Sequence, residues 1–429
     1  MSATLKTVTL GCKVNQYETE YVREGLESIG YRPPADEETA DLCVVNTCTV
    51  TSEGDSKSRQ VIRRLARDNP NARIVVMGCY ATRRPEEIAE LPGVAEVVTD
   101  KRELPDLLGR FGVVDLPTGI SRFGDRSRAY VKVQDGCLLR CSYCIIPQVR
   151  PQLTSRPLDH ILDEIRRLVD NGYREIVLTG VHLGHYGVDW NWNRPKEEWT
   201  RLSHLMRAID ELDGEFRIRL SSIEATEVTR ELIDVIGEMG ERICPHLHVC
   251  LQSGSNRVLR RMRRRWGVKM FVDRCQMLRD AFDEPALTTD VIVGFPGETE
   301  AEFAETVETV RKVGFSKIHT FPFSARQDTP AADLPGQLSK AVKSERSRAL
   351  TEVEHELRDA YYQRLIGRPL QVLIESTSDS DELATGDPHV VGTSCRYAPV
   401  ATRGDESLVG KLLTVTPTRL ADDRLVCGM

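Results

Sequence analysis

A chain of 429 residues is too long for one ordinary hydrophobic core and is expected to form two or three domains. Its 40% hydrophobic and 29% charged content, the lack of an apolar run of bilayer length and a start, "MSATLKTVTLGC", without a signal-peptide core argue against a membrane protein and for the cytoplasm. The net charge of -7 weighs against a wholly nucleic-acid-coating protein, and twelve cysteines in a reducing compartment point to metal or catalytic use rather than disulfides.

Residues 1–120 alternate strand and helix patterns, as a parallel α/β unit does. "TVTLGC" reads as a strand with a helix following through Leu26. "DLCVVNTC" is a second strand, with a helix around "SRQVIRRLARD". "ARIVVMGC" is a third, with a short helix near "PEEIAEL". Each run ends in a cysteine: Cys12, Cys48 and Cys79. The carboxyl ends of strands in an open parallel sheet share one edge, so these three thiols are expected to converge on a shared metal site.

Residues 121–362 continue the alternation. "AYVKVQ", "EIVLTG", "FRIRLSS", "HLHVCLQ", "LTTDVIVG" and "KIHTFPF" are strand candidates, separated by helical stretches such as 157–171 and 298–313. Six such units fit a partial or full β/α barrel, whose active site lies at the strand carboxyl ends. Directly after the first strand comes "GCLLRCSYCIIP", which places Cys137, Cys141 and Cys144 at C-x3-C-x2-C spacing. A closed zinc site takes four ligands, usually as two pairs. Three crowded thiolates instead suit a 4Fe-4S cluster with one iron left open, although a zinc knuckle or buried thiols are the alternatives. The stretch 257–269, "RVLRRMRRRWGVK", carries six Arg and one Lys with no acid. It reads either as a solvated helix face or as a phosphate-binding stripe. A long charged helix is expected from about Lys340 to Leu365. Residues 363–429 change to short β runs broken by Gly, Asp and Pro, the pattern of a small β-barrel.

The C-x3-C-x2-C loop, with Tyr143 before its last cysteine, resembles the signature of the radical S-adenosylmethionine superfamily. "TLGCKVNQYETE", "VVNTCTVT", "VMGCY", "YVKVQDGCLLRCSYCIIP", "LTGVHLG", "LSSIE", "LQSGSNRVLRRMRRR" and "DVIVGFPGET" occur in the order found in its methylthiotransferases, so the resemblance covers nearly the whole chain. It implies an α/β fold: an N-terminal methylthiotransferase domain, a radical barrel and a C-terminal RNA-binding, TRAM-like β-barrel. It also implies two 4Fe-4S clusters, one on Cys137, Cys141 and Cys144 and an auxiliary one on Cys12, Cys48 and Cys79, with S-adenosylmethionine as cofactor. One S-adenosylmethionine would methylate sulfur on the auxiliary cluster. A second, cleaved at the other cluster, would supply the radical that abstracts hydrogen. The clusters carry this chemistry, and no side chain stands out as catalytic. Family positions for S-adenosylmethionine contacts fall on Tyr143, Thr179, Gly180, Ser222, Glu224, Gln252, Ser253, Gly254 and Gly294.

The opening loop "GCKVNQYE" is similar to the branch acting on N6-threonylcarbamoyladenosine at tRNA position 37, rather than the isopentenyladenosine branch. That branch implies the tRNA anticodon stem-loop as partner, with a sulfur donor and an electron donor such as flavodoxin or ferredoxin. The chain departs from the family at Pro147 to Leu153, "PQVRPQL", where P-Y-A-R-G is usual, at Cys250, where proline is common, and in the acidic "SDSDELATGD". Rival readings are an isopentenyladenosine enzyme, another radical enzyme using the N-terminal cluster for electron transfer, and a zinc-containing RNA-binding protein. Cys43, Cys244, Cys250, Cys275, Cys395 and Cys427 lack ligand spacing and read as small packed hydrophobes. His182, His185, His246 and His248 flank strands without forming a convincing metal pair.

Overall fold

The computed structural model describes residues 3–124, 126–378 and 389–427, so the acidic stretch "SDSDELATGD" lies outside the described residues except for Ser378. The chain divides into two compact units. The first comprises Met1–Gly124, Tyr130–Leu168 and Ser324–Ala332; the second comprises Asp125–Ala129, Val169–Phe323 and Asp333–Met429.

In the first unit, β1 (Leu5–Thr9), β2 (Leu42–Thr47), β3 (Arg73–Gly78) and β4 (Val94–Val97) form a parallel sheet in chain order. Residues of β2 are buried along its whole length and those of β3 after Arg73, because helices pack on both faces: α1 (Lys13–Ser28), α2 (Ser52–Asp68), α3 (Cys79–Arg83), α4 (Pro85–Ala89) and α5 (Leu104–Arg110). Two apolar clusters divide accordingly. Leu5, Val22, Leu26, Val44, Val75 and Leu108 fill one, and Val45, Ile62, Leu65, Ile74, Val76 and Ile88 the other. Helix α2 begins six residues before the expected "SRQ" start. Thr51 Oγ1 accepts the Gly54 N–H at 3.1 Å, and Glu53 and Asp55 occupy the first turn, where acids favour the helix dipole. The unit continues with β5 (Arg128–Asp135) from Tyr130 on, the short α6 (Ile146–Val149), β6 (Thr154–Ser155) pairing antiparallel with β5, and α7 (Leu158–Asp170) as far as Leu168.

The second unit carries β7 (Glu175–Gly180), α8 (Leu202–Asp210), β8 (Arg217–Leu220), β9 (Ser222–Ile223), α9 (Arg230–Met239), β10 (His246–Val249), α10 (Asn256–Arg261), α11 (Val268–Ala281), β11 (Ala286–Val293), α12 (Glu300–Val313) and β12 (Lys317–Pro322). β7 pairs parallel with β8; β9, β10, β11 and β12 pair parallel in succession, and an Ile218↔Ile243 bridge carries the series on from β8. This is the expected partial β/α barrel. Helix α13 (Lys340–Leu365) leads to β13 (Leu370–Ser378), β14 (His389–Ser394), β15 (Pro399–Arg403), β16 (Leu412–Val415), β17 (Pro417–Ala421) and β18 (Arg424–Cys427), a sheet ordered β16-β13-β14-β15-β18-β17. Tyr361, Tyr362 and Leu365 of α13 pack with Leu370, Val372, Val400 and Leu425 in its core. No helix among the described residues is long and apolar enough to cross a membrane.

Candidate active site

Cys12, Cys48 and Cys79 each follow a strand of the N-terminal sheet, as N-cap of α1, as the residue after β2 and as the first residue of α3. The register Thr9↔Asn46 and Thr47↔Gly78 brings those strand ends level. Two glycines make the approach possible. A Cβ on Gly11 (φ +103°) would lie 3.1 Å from Cys48 Sγ, and one on Gly78 (φ +100°) would lie 2.3 Å from Asn46 Oδ1. Asn15, fully buried, ties the edge together. Its Nδ2 donates to Leu10 O (2.9 Å) and Thr47 O (3.1 Å), and its carbonyl accepts from Asn46 Nδ2 (2.8 Å).

Cys137, Cys141 and Cys144 lie in the same unit, on the turn between β5 and α6. Gly136 (φ +79°) opens that turn, and a Cβ there would meet Gln152 O at 1.9 Å, so no other residue fits. Its N–H donates to Asp135 Oδ1 at 2.8 Å. Cys144 N–H closes onto Cys141 O at 3.1 Å. Cys141 is buried; Cys137, Tyr143 and Cys144 are half-buried. Ile145 and Val149 pack against Cys79, bringing the exit of this loop beside the strand-edge trio.

Arg150 joins the two trios. Its carbonyl accepts the Cys137 N–H at 3.4 Å, and its Nε lies 3.4 Å from Cys79 Sγ. Nη1 donates to Glu18 Oε1 and to Asp135, each at 2.8 Å; Nη2 donates to Glu18 Oε2 at 2.8 Å and Asn15 Oδ1 at 3.0 Å. Lys132 Nζ reaches the same two carboxylates, Glu18 at 2.8 Å and Asp135 at 2.6 Å. Burial works to raise the Glu18 carboxyl, but Arg150 and Lys132 outweigh it and bring it down to about 2. Asp135 is held well below the usual carboxylate range by the same two cations against the same burial. Burial pushes the Cys48 thiol up to about 11, and the neighbouring Cys79 and Cys12 add to that. Thiolates gathered here therefore need positive charge close by, which a metal centre and the Arg150 guanidinium both supply. Three free thiols at one edge, a cation on Cys79 and a glycine-cleared approach suit the donor set of an iron-sulfur cluster.

In the second unit the remaining candidates sit at or just past the carboxyl ends of parallel strands. Thr179, buried, and Gly180 end β7; Ser222 lies on β9 and Glu224 follows it. Gln252 (φ +66°) bridges to β11 through its N–H to Asp290 O at 2.8 Å, Ser253 is buried, and Gly254 N–H donates to Thr306 Oγ1 at 3.0 Å. Gly294 (φ +71°) donates to Glu298 Oε2 at 2.7 Å. The arginine stripe is largely exposed: Arg257, Arg260, Arg263, Arg265 and Lys269 face solvent, while Arg261 and Arg264 are half-buried and paired. Arg264 pairs with Glu224, whose Oε2 also accepts Trp266 Nε1 at 3.2 Å, and Arg261 pairs with Glu302 at 2.8 Å. Arg257 and Arg260 line a surface groove with Lys269 and Lys312, but Asp273, Glu305 and Glu308 line it too. His182 and His185 stack at 3.5 Å beside Glu227, which holds His182 Nε2 at 3.1 Å. One ligand atom from each of His182, His185 and Glu227 lies within 4.8 Å of the other two, so the pair that the sequence left without a convincing metal role does have ligand atoms gathered at one point. Cys43, Cys244, Cys275 and Cys395 are buried, while Cys250 and Cys427 are half-buried.

Reading the sequence missed Glu18, Asp135, Lys132 and Arg150. Two signals were available: Asn15 and Glu18 stand three and six residues after Cys12, and Asp135 stands two before Cys137.

Residues 131–310 match the Radical SAM superfamily, and residues 4–100 match a group described as Uncharacterized protein family UPF0004. The chain is 41% identical over 430 residues to the threonylcarbamoyladenosine tRNA methylthiotransferase MtaB of Bacillus subtilis (strain 168), covering 96% of this chain and 93% of that one. It is 31% identical to the tRNA-2-methylthio-N(6)-dimethylallyladenosine synthase of Aquifex aeolicus (strain VF5), over 95% and 94% of the two chains. Among solved structures, the radical S-adenosylmethionine methyltransferase TsrM from Kitasatospora setae shares the fold. Its TM-score is 0.55 at 15% identity, over 77% of this chain and 75% of that one.

Proposed function

The chain belongs to the radical S-adenosylmethionine methylthiotransferase family, and from that premise we propose that it inserts a methylthio group at C2 of N6-threonylcarbamoyladenosine beside the anticodon of tRNA. Enzyme class and radical chemistry come with the family. The choice of base rests on the relative at 41% identity and on the "GCKVNQYE" loop.

The observation that carries the reading is the adjacency of two cysteine trios in one compact unit, with Arg150 touching both. In this reading Cys137, Cys141 and Cys144 ligate one 4Fe-4S cluster and Cys12, Cys48 and Cys79 the other. When bound, the first supplies the electron that cleaves S-adenosylmethionine to a carbon radical, and the second supplies the sulfur that is inserted. The protein's share is positional. Asn15, Gly11 and Gly78 hold the strand-edge thiols together, and Gly136 and Arg150 fix the loop of the other trio against Cys79. Thr179, Gly180, Ser222, Glu224, Gln252 to Gly254 and Gly294 line the strand ends for the S-adenosylmethionine moieties, with Tyr143 on the cluster loop. Residues 1–120 then act as the sulfur-delivering domain, 121–362 as the radical barrel and 363–429 as an RNA-binding TRAM-like domain. A sulfur donor and a low-potential electron donor complete the cycle.

Anaerobic purification of the wild type, Cys12→Ala and Cys141→Ala, with iron and sulfide counted per chain, tests the ligand sets. The expected result is about eight irons in the wild type and about four in each variant. Four irons in the wild type, unchanged by Cys12→Ala, would leave the strand edge without a cluster. Nucleoside analysis of the tRNA product identifies the base.

A further inference from the structure

Beside Arg150 lies a cavity of about 280 Å³, lined by Thr82, Lys101, Gln148, Arg150 and Gln152 and by the carboxylates Asp100 and Asp135, among others. Lys101 is the unusual member. Its ammonium donates to Thr82 Oγ1 and to Val149 O at 3.3 Å, which uses two of its three N–H bonds, and it has no carboxylate partner among the described residues. The other cations here are balanced. Arg150 and Lys132 share Glu18 and Asp135, and Arg102 is held by Asp100 at 3.0 Å. Counted over carboxylates and cations alone, leaving the strand-edge thiols aside, these side chains keep one positive charge over, and a half-buried ammonium with no carboxylate beside it can take an anion. An adjoining groove of about 480 Å³ shares Lys101, Arg102 and Asp135 with this cavity and adds the half-buried Tyr21, whose ring is of the kind that stacks on a base; Tyr17 beneath it is buried, with Arg156 over its ring.

We propose that Lys101 receives the carboxylate of the substrate adenosine's N6 substituent and so selects an anionic threonylcarbamoyl group over an uncharged dimethylallyl one. This rests on the substrate reading given above and deepens it. The threonyl carboxylate is the charge by which the two substituents differ, and a charge-assisted hydrogen bond in a partly buried site is strong enough to discriminate them. The Gln152 amide and the Gln148 side-chain oxygen offer further polar contacts for a threonyl group, the Thr82 hydroxyl being held by Thr99 O at 2.6 Å and by Lys101.

The test uses the full-length, cluster-loaded enzyme and three anticodon stem-loops. One carries N6-threonylcarbamoyladenosine, one its primary amide, in which only the carboxylate charge is lost, and one dimethylallyladenosine. Affinity is read by fluorescence anisotropy and product by mass spectrometry. The wild type is expected to favour the acid over the amide by about tenfold or more, Lys101→Met to bind both alike, and Lys101→Arg to keep part of the preference. A Lys101→Met enzyme that still prefers the acid overturns the inference. So does one that loses iron from the strand-edge trio while keeping its preference, because Lys101 would then be the counter-ion of the thiolates. A wild type that modifies acid and amide equally overturns this inference but leaves the substrate reading standing. One that modifies only the dimethylallyl stem-loop overturns both.

Discussion

Arg150 is 4% exposed, and its one guanidinium serves Glu18, Asp135, Asn15 and Cys79 together. Removing it leaves buried Glu18 and half-buried Asp135 with Lys132 as the one cation still paired to them among the described residues, close to the situation in which breaking a buried pair costs about 3–5 kcal/mol. Arg150→Met should lower the unfolding free energy by that order in a denaturant titration. Arg150→Lys should recover only part of it, because an ammonium cannot reproduce the planar fork. The same network sets a pH dependence. Glu18 titrates near 4.5 when unfolded and about 2 when folded, so its stabilising contribution is complete above pH 4.5 and disappears as pH falls towards 2. A shift of that size is worth about 3 kcal/mol. The denaturant midpoint of the wild type should therefore drop across that window, and that of Glu18→Gln should drop less; equal slopes would contradict the assignment. Little of this was legible beforehand beyond the spacing of Asn15 and Glu18 from Cys12 and of Asp135 from Cys137. Arg150 sits in "PQVRPQL", a stretch that stood out only for departing from the family pattern, and its partners are spread from residue 15 to residue 135.

At the scale of elements, the strand-edge site was legible because strand carboxyl ends in a parallel sheet must share an edge, and a cysteine closing three successive apolar runs is a pattern in one dimension. What the pattern omitted is how the chain leaves each strand. Gly78 turns out of β3 at φ +100°, with Asn46 Oδ1 and Thr47 O where a Cβ would stand. Gly78→Ala should destabilise by more than about 2 kcal/mol, since left-handed strain adds to a clash with backbone. Because Cys79 is the next residue, the variant should also lose iron selectively from the strand-edge trio. Anaerobic iron counts of about four against about eight would show it, and full loading would mean that the turn adapts. The arginine stripe fits the solvated-face reading in its larger part, since Arg257, Arg260, Arg263, Arg265 and Lys269 are exposed. What a charge run cannot say is which members turn inward: α10 and the turn after it spend Arg261 and Arg264 on Glu302 and Glu224.

Across the second unit, one buried carboxylate ties the C-terminal sheet to the barrel strands. Glu175, at the start of β7 and fully buried, accepts from Arg217 Nη2 at 2.6 Å and Arg219 Nε at 2.9 Å, with Arg128 at 3.4 Å. Those arginines then donate outward: Arg217 to Gln371 O (2.6 Å) and Thr393 O (2.9 Å), Arg219 to Ser394 O (2.9 Å). Burial would raise the Glu175 carboxyl, yet Arg219 and Arg217 outweigh it and hold it far below the usual range. The alternation of strands and helices announced the barrel, and the short β runs announced the terminal sheet, but nothing in either pattern marks the residue that couples them. Glu175→Gln keeps the shape and removes the charge, leaving the buried guanidiniums uncompensated and their grip on the sheet carbonyls loosened. Limited proteolysis should then cut between α13 and β13 faster than in the wild type. Iron per chain should remain at the wild-type value, because all six candidate ligands belong to the other unit. If the terminal sheet is the RNA-binding part, affinity for the stem-loop should fall together with that protection. Faster cleavage with unchanged affinity would instead place RNA recognition elsewhere on the chain.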